Sequence, residues 1–160
     1  MRMTLFAVGR LKAGHEAEIA GRYLDRLSKA GPSVGLEFVR TIEVQESRAQ
    51  TAELRKRDEA RDLEKTIPAG AALIVLDERG KDMDSTQFAG LLARLRDEGR
   101  RDTVLAIGGA DGFDETVRGR ADMVISFGRL TWPHQLVRIM LAEQLYRATT
   151  ILSGHPYHRS

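Results

Sequence analysis

The 160-residue chain contains no cysteine, and this absence removes several classes of chemistry. Disulfide bonds, thiolate metal sites and a cysteine nucleophile are all excluded. No apolar run approaches the ~20 residues that span a bilayer. The apolar stretch at the N-terminus is too short for a secretory signal, and charges follow it at once. We therefore expect a cytoplasmic protein without a membrane segment.

Several motifs of nucleotide binding and catalysis are also missing. The turn at residues 108–112 lacks both the G-x-G-x-x-G spacing of dinucleotide sites and the Gly-Lys-Ser/Thr of a phosphate loop. No G-x-S-x-G sequence is present, which argues against a serine nucleophile on a strand-to-helix elbow. His155 and His158 have a proline between them and no carboxylate nearby in the sequence, so we expect no metal site there.

What is present suits one α/β domain over residues 1–160. The apolar fraction is 42% and the charged fraction 30%, which is ordinary for a globular protein. Apolar strand-like runs alternate with helical patterns throughout, which predicts a largely parallel sheet. No linker or internal repeat interrupts this order. The predicted strands cover residues 3–8, 34–44, 71–76, 103–107 and 122–127, and the predicted helices cover 14–30, 47–65, 85 to about 99, and 133–152.

The charges are unevenly distributed along the chain. Residues 47–65 carry many charges of both signs, which we interpret as a solvated helix face rather than a nucleic-acid surface. From residue 128 onward, the chain contains four arginines and one glutamate, which gives a local net charge of +3 in a chain whose total is +2. This basic stretch is therefore the candidate for contact with an anionic partner. Its charged residues are Arg129, Arg138, Glu143, Arg147 and Arg159.

Three of the predicted strands end in residues that suit a ligand site. Ligands of open α/β sheets bind outside the carboxyl ends of the strands. Here those ends are Leu76-Asp77, Ile107-Gly108-Gly109 and Phe127-Gly128. Glycines lack a Cβ atom, so a ligand could approach the backbone closely. Taken alone, the Gly-Gly pair is better explained by a tight strand-to-helix turn, and the ligand site is the alternative.

The last helix has more apolar surface than one packing face requires. Pro133 suits its first position, and Thr131 could accept hydrogen bonds from its free amides. An apolar surface wider than ~100° must be buried on two sides, which favours two-fold pairing with a second subunit. Enclosure between other helices of the same chain is the alternative. The apolar positions are Leu136, Val137, Ile139, Met140, Leu141, Leu145, Tyr146, Ala148, Ile151 and Leu152.

Four segments together resemble the ribosomal RNA large subunit methyltransferase H family. They are Ile-Gly-Gly-Ala-Asp-Gly at 107–112, Leu-Thr-Trp-Pro-His-Gln-Leu-Val-Arg at 130–138, Glu-Gln-Leu-Tyr-Arg at 143–147 and His-Pro-Tyr-His-Arg at 155–159. The resemblance spans essentially the full length, although residues 47–65 match little beyond helical character. It implies a SPOUT-class fold with a C-terminal trefoil knot, an exception to the usual unknotted topology.

The resemblance also implies an activity and a set of cofactor-binding residues. Members of the family are homodimers that transfer a methyl group from S-adenosylmethionine to N3 of a pseudouridine in 23S (large-subunit) ribosomal RNA. The chain has Ala110 where the family usually has Pro or Ser, and Trp132 where it has Phe or Leu. Backbone contacts would tolerate both changes. By position, the cofactor-binding residues are Leu76, Gly108, Phe127, Gly128, Arg129, Leu130, Thr131 and Trp132, with Gly109 as a neighbour.

The resemblance places the C-terminal tail near the substrate pocket, where it would complete the partner subunit's site. Our hypothesis is that Arg129 or His158 stabilises the N3 anion or accepts its proton. Tyr157 could stack on a base and Arg159 could hold a phosphate. Because one modest basic segment is too little for tight binding of free RNA, we expect the ribosome or large subunit as substrate. A non-catalytic ribosome-binding or assembly factor, or an enzyme acting on transfer RNA, stays an open alternative.

Overall fold

The computed structural model describes residues 1–158, which form a five-stranded sheet with helices on both faces. A single turn of 3-10 helix, Gly31–Val34, precedes the second strand. The strands are β1 (Arg2–Val8), β2 (Glu37–Val44), β3 (Ala72–Asp82), β4 (Asp102–Ile107) and β5 (Met123–Ser126). The helices are α1 (His15–Ala30), α2 (Ala52–Glu64), α3 (Ser85–Asp97), α4 (Glu115–Arg120) and α5 (His134–Leu152).

The sheet has the strand order β2-β1-β4-β3-β5, and every neighbouring pair is parallel. The carboxyl ends of all five strands therefore lie at one edge. This confirms the predicted α/β class with a mostly parallel sheet. The trefoil knot stays a prediction. Between residues 1 and 158, no helix is long and apolar enough to cross a membrane.

Two apolar cores lie on the two faces of the sheet. Successive residues of a strand point to opposite faces, so Leu5 and Ala7 join one core while Phe6 and Val8 join the other. The first core lies under α1, α3 and α5, and the second under α2 and α4. Because helices cover both faces of the sheet, the central strands have unbroken apolar sequences. Each large apolar side chain buried there contributes roughly 1.5–3 kcal/mol.

Helix α5 packs against both α1 and α3 within the same chain. Leu141, Leu145 and Ala148 are buried in the first core. Part of the wide apolar surface is thus covered internally, as the single-chain alternative predicted. The cover is incomplete, because Leu136 in the first turn of α5 remains 40% exposed.

The start of α2 differs from the prediction, which began the helix at Ser47. Helix α2 begins at Ala52 because the Thr51 hydroxyl caps it, accepting a hydrogen bond from the Leu54 N–H at 3.2 Å. The Ser47 hydroxyl instead donates to the Asp58 carboxylate at 2.8 Å. This contact holds residues 47–50 as a loop against α2, so the predicted helix start was wrong.

Strand β3 is longer than predicted. It was expected to end at Leu76, but it pairs with β5 a second time, Lys81 with Ile125 and Asp82 with Ser126. Residues 77–80 form the irregularity between the two paired parts. Their charged, glycine-ended composition looks like a turn, and the second pairing depends on a strand over 40 residues away. The predicted strand end was therefore wrong.

The second strand and the last helix also begin at residues other than those predicted. The second strand begins at Glu37 rather than Val34, because Gly35 ends the 3-10 turn with a positive φ of 71°. Pro133 is the residue before α5 and adopts an extended conformation. No side chain caps α5, so the expected capping role of Thr131 was wrong.

Candidate functional site

A cleft lies at the carboxyl edge of the sheet, between the ends of β3, β4 and β5 and the start of α5. Its volume of about 180 Å³ far exceeds the ~10–15 Å³ that one water needs, so it has room for a ligand of many atoms. The lining consists of residues 76–79, 107–112, 125–128 and 130–132, with His134 and Val137.

The loop after β4 is a tight turn whose glycines face the protein. The Gly112 N–H donates to the Gly109 carbonyl at 2.9 Å. A Cβ on Gly108 would lie 3.1 Å from the Gly112 backbone, and one on Gly109 would lie 2.7 Å from a carboxylate oxygen of Glu59. A side chain at either position would therefore crowd the chain itself, which favours the tight-turn explanation.

Two side chains of α2 hold this loop. The Glu59 carboxylate is 4% exposed and accepts hydrogen bonds from Gly109 N–H at 3.3 Å and Ser47 N–H at 3.4 Å. Burial raises the pKa of Glu59, and these two hydrogen bonds oppose the rise only in part. One turn earlier, the Arg55 guanidinium donates to Asp111 at 2.7 Å. Helix α2 therefore has a role at the site beyond its solvated face.

A buried carboxylate lies at the end of the first part of β3. Asp77 accepts hydrogen bonds from Arg79 N–H at 2.9 Å and from the Arg118 guanidinium at 3.1 Å. Burial opposes ionisation, but these hydrogen bonds outweigh it and lower the pKa of Asp77. Arg118 also donates to the Phe113 carbonyl at 3.1 Å. The ionised Asp77 thus connects β3 to the segment that follows β4.

The end of β5 turns sharply into the loop that closes the cleft. The Ser126 hydroxyl donates to the Gly128 carbonyl at 2.8 Å and accepts from the Gly128 N–H at 3.1 Å. Gly128 has a φ of 102°, so glycine is required here by backbone conformation rather than by space. The Trp132 indole N–H donates to the Phe127 carbonyl at 3.3 Å, which folds the loop back on itself.

The structure brings together the three strand ends singled out in the sequence. Arg129 is exposed and is not part of the cleft lining, although both of its neighbours are. The binding role of all nine residues stays a prediction. The eight predicted cofactor-binding residues that line the cleft are Leu76, Gly108, Gly109, Phe127, Gly128, Leu130, Thr131 and Trp132.

The C-terminal tail folds back on the last turns of α5. The Tyr157 hydroxyl donates to Glu143 at 3.1 Å, and its ring centroid lies 4.9 Å from that of Tyr146. The Arg147 guanidinium lies 4.9 Å from the Tyr157 ring centroid and 3.5 Å from His158 Nδ1. Burial raises the pKa of Tyr157, and its hydroxyl–carboxylate contact adds to the rise.

His158 does not line the cleft of its own chain. It contacts Arg147, which lies roughly 20 Å along α5 from the cleft-lining His134 at 1.5 Å per residue. Neither Arg129 nor His158 is part of the cleft lining, and no hydrogen bond among the described residues joins the two. Arg159, predicted to bind RNA, lies outside the described residues.

No metal site is found in the described part of the chain, where no three His, Asp or Glu side chains form a group that could hold an ion. His155 instead accepts a hydrogen bond at Nδ1 from the Tyr157 N–H at 3.2 Å.

Sequence reasoning included Asp77 among the strand ends but missed three other residues that shape the cleft. Ser126 ends β5, so the strand-end rule itself could have found it. Glu59 and Arg118 carry no local signal, because their partners lie about 50 and 41 positions away in the chain.

Known proteins resemble this chain over its whole length. A family model described as "Predicted SPOUT methyltransferase" matches residues 1–158. The ribosomal RNA large subunit methyltransferase H of Rhizobium meliloti (strain 1021) is 64% identical, covering 100% of both chains. The protein of the same name from Agrobacterium fabrum is 62% identical, covering 99% of both chains.

A solved structure is also similar at low identity. The SpoU methyltransferase AviRb of Streptomyces viridochromogenes in complex with AdoMet is 14% identical, with a TM-score of 0.39. The similarity covers 92% of this chain and 59% of that one.

Proposed function

Because this chain belongs to the SPOUT methyltransferase family, we propose that it methylates large-subunit ribosomal RNA at the cleft formed by its three strand ends. The protein is an S-adenosylmethionine-dependent methyltransferase. The observation that carries the proposal is the convergence of residues 76–79, 107–112 and 125–132, apart from Arg129, on one cleft. Relatives more than 60% identical over the full length are named for this RNA.

The chemistry of the cleft fits the methyl donor. Ile107, Leu130 and Val137 give apolar walls for a flat base, and the glycine-rich turn offers backbone polar groups at its edge. Asp77 and Glu78 add carboxylates in a cleft that must accept a positively charged sulfonium. When bound, S-adenosylmethionine supplies an electrophilic methyl group. The residues of the chain then have to exclude water and align the acceptor atom.

The proposed acceptor is N3 of a pseudouridine. The N3–H of a uracil-type ring is a weak acid, so a positive charge or a proton acceptor nearby helps the nitrogen attack the methyl group. Arg129 is exposed beside the cleft, where its charge can act on a bound base. His158 is the candidate proton acceptor. We place this reaction in the cytoplasm, on the ribosome or large subunit.

A second copy of the chain completes the site in this proposal. His158 does not line its own cleft, which supports a role for the tail at a partner's cleft. The exposed apolar side chains Leu130 (70%), Trp132 (38%) and Leu136 lie at the start of α5, where a partner would cover them. Beside them, α1, α3 and α5 border a largely apolar groove of about 600 Å³. Its apolar residues include Ile19, Tyr23, Met83, Phe88, Ile139 and Met140.

Mixed dimers test whether the tail serves the partner's cleft. Thr131→Arg places bulk and positive charge in the cleft at an exposed position, and His158→Ala removes the tail imidazole. We expect each variant alone to lose at least about 10²-fold in kcat. After the two variants are unfolded, mixed equally and refolded, random pairing should restore about a quarter of wild-type activity, since half the dimers then hold one intact site.

The control is each variant refolded alone, which should stay inactive. Mixtures that recover nothing, while both variants still form dimers, would show that tail and cleft of the same chain act together. Unchanged turnover of His158→Ala across pH would remove this side chain from the mechanism.

Mass mapping of ribosomal RNA tests the proposed substrate. A strain lacking the protein should lose one methyl group from a pseudouridine of its large-subunit RNA, and the wild-type gene should restore it while Thr131→Arg should not. In vitro, assembled ribosomes or large subunits should be methylated far faster than the same RNA without ribosomal proteins. An unchanged RNA map would contradict this target and point to another RNA or to a non-catalytic role.

A further inference from the structure

Glu59 is unlike the other charged residues of α2. Most of the charged side chains of this helix are exposed or half-buried, whereas Glu59 is only 4% exposed. A buried carboxylate is unfavourable unless hydrogen bonds satisfy it. Its two oxygens accept from two backbone N–H groups, those of Gly109 and Ser47. Neither the proposed reaction nor the lining of the cleft includes this side chain.

The bond to Gly109 fixes the orientation of one peptide group. Every peptide bond in the described chain is trans, and in a trans peptide the N–H and C=O point in opposite directions. Because the Gly109 N–H points at Glu59, the Gly108 carbonyl must point away from it. Gly108 and Gly109 line the cleft and Glu59 lies behind them, so the side away from Glu59 is the cleft side.

We propose that Glu59 is a positioning residue that turns the Gly108 carbonyl toward the cleft, where it accepts a hydrogen bond from the cofactor. The inference rests on the proposed binding of S-adenosylmethionine in this cleft. The adenine amino group of that molecule is a donor of the required kind. The rest of the loop is held from the same helix by the 2.7 Å pair between Arg55 and Asp111, so α2 supports the loop at two points.

This role requires the ionised form of Glu59. A protonated oxygen would present an O–H to an N–H, and one of the two hydrogen bonds would be lost. Burial is the largest cause of the raised pKa of Glu59, and the negative charges of Glu46 and Asp111 nearby raise it further. The Arg55 charge on the same helix acts in the opposite direction. The raised pKa of Glu59 lies above the ordinary value of 4.5, and cofactor affinity should therefore fall as the pH falls through it.

Glu59→Gln tests the proposal, because it keeps the size of the side chain and removes the second acceptor oxygen. We expect the Kd for S-adenosylmethionine, measured by isothermal titration, to rise at least about ten-fold, as for loss of a charge-assisted hydrogen bond. The acid-side change in affinity should disappear in this variant. Glu53→Gln on the exposed surface of α2 is the matched control and should bind like the wild type.

Each outcome has a distinct meaning. A wild-type protein that does not bind S-adenosylmethionine overturns the proposed site, whereas equal affinity and equal pH dependence in wild type and Glu59→Gln overturn the role of Glu59 alone. If Glu59→Gln does not fold, the proposal is tested instead by following the NMR resonance of the Gly109 amide in the wild-type protein as the pH is changed. This resonance should titrate in the same pH range in which affinity falls, and an amide insensitive to pH there contradicts the proposal.

Discussion

Replacing Gly80 with alanine is expected to destabilise the protein by about 3 kcal/mol or more and to abolish cofactor binding. A Cβ at this position would lie 2.5 Å from the Ile125 carbonyl carbon and 2.8 Å from its Cα. These are backbone atoms of a paired strand, so neither side can move without breaking the second pairing of β3 with β5. Urea unfolding followed by circular dichroism gives the stability, and isothermal titration gives the affinity.

The effect reaches the cleft because β5 leads directly into its closing loop. Ser126 pairs with Asp82 in the sheet, and its hydroxyl holds the turn at Gly128. Gly90→Ala is the matched control, since this glycine lies within α3 with no atom within 4 Å of its Cβ position. That substitution should leave the protein as stable or stabilise it by about 0.5–1 kcal/mol. Equal stability of the two variants would contradict the account of Gly80.

The parts of the fold visible in the sequence are those set by local pattern. The apolar run before Leu76 and the run before Gly108 are buried on both faces, and such runs indicate central parallel strands. Parallel strands place their carboxyl ends at one edge, so the position of the cleft followed from strand ends alone. The capping box of Asp84 and Gln87 likewise marks the start of α3 by local chemistry.

The parts that sequence reasoning missed depend on partners far away in the chain. Residues 77–80 have the composition of a turn, and their return to the sheet depends on Ile125. Glu59 is one carboxylate among many in a charged helix, and only the three-dimensional fold places it behind Gly109. Periodicity and turn chemistry report on neighbours in sequence, so neither could identify these contacts.

The basic C-terminal stretch shows how charge counted along a sequence can mislead. Arg147 pairs with Glu143 and packs on Tyr157, and Arg138 is buried in an ion pair with Glu43. Within residues 128–158, this leaves Arg129 as the arginine exposed to a partner. The stretch therefore offers less charge to RNA than its net value suggests. This strengthens the expectation that an assembled ribosomal particle, presenting shape as well as charge, is the substrate.

Arg138→Ala is expected to cost about 3–5 kcal/mol, the range for removing one partner of a buried ion pair. Arg138 is 6% exposed and pairs with Glu43 of β2. It also donates to the carbonyl of Val8 at 3.0 Å and to that of Gly9. One side chain of α5 thereby joins the carboxyl ends of two strands. Its loss removes the charge that pairs with Glu43, which keeps only the Leu11 N–H at 3.0 Å, and removes a donor from both carbonyls. Urea unfolding measures the change.

Two further variants separate this ion pair from a general effect of losing an arginine. Arg94→Ala removes a helical arginine whose contact with Glu98, at 3.8 Å, is solvent-exposed, and it should cost at most about 1 kcal/mol. Arg138→Met keeps an apolar stem but supplies no donor, so it should recover only the packing contribution. If Arg138→Ala cost no more than Arg94→Ala, the pair with Glu43 would not hold α5 to the sheet. The start of α5, and with it the wall of the cleft at His134 and Val137, would then have to be positioned by apolar packing alone.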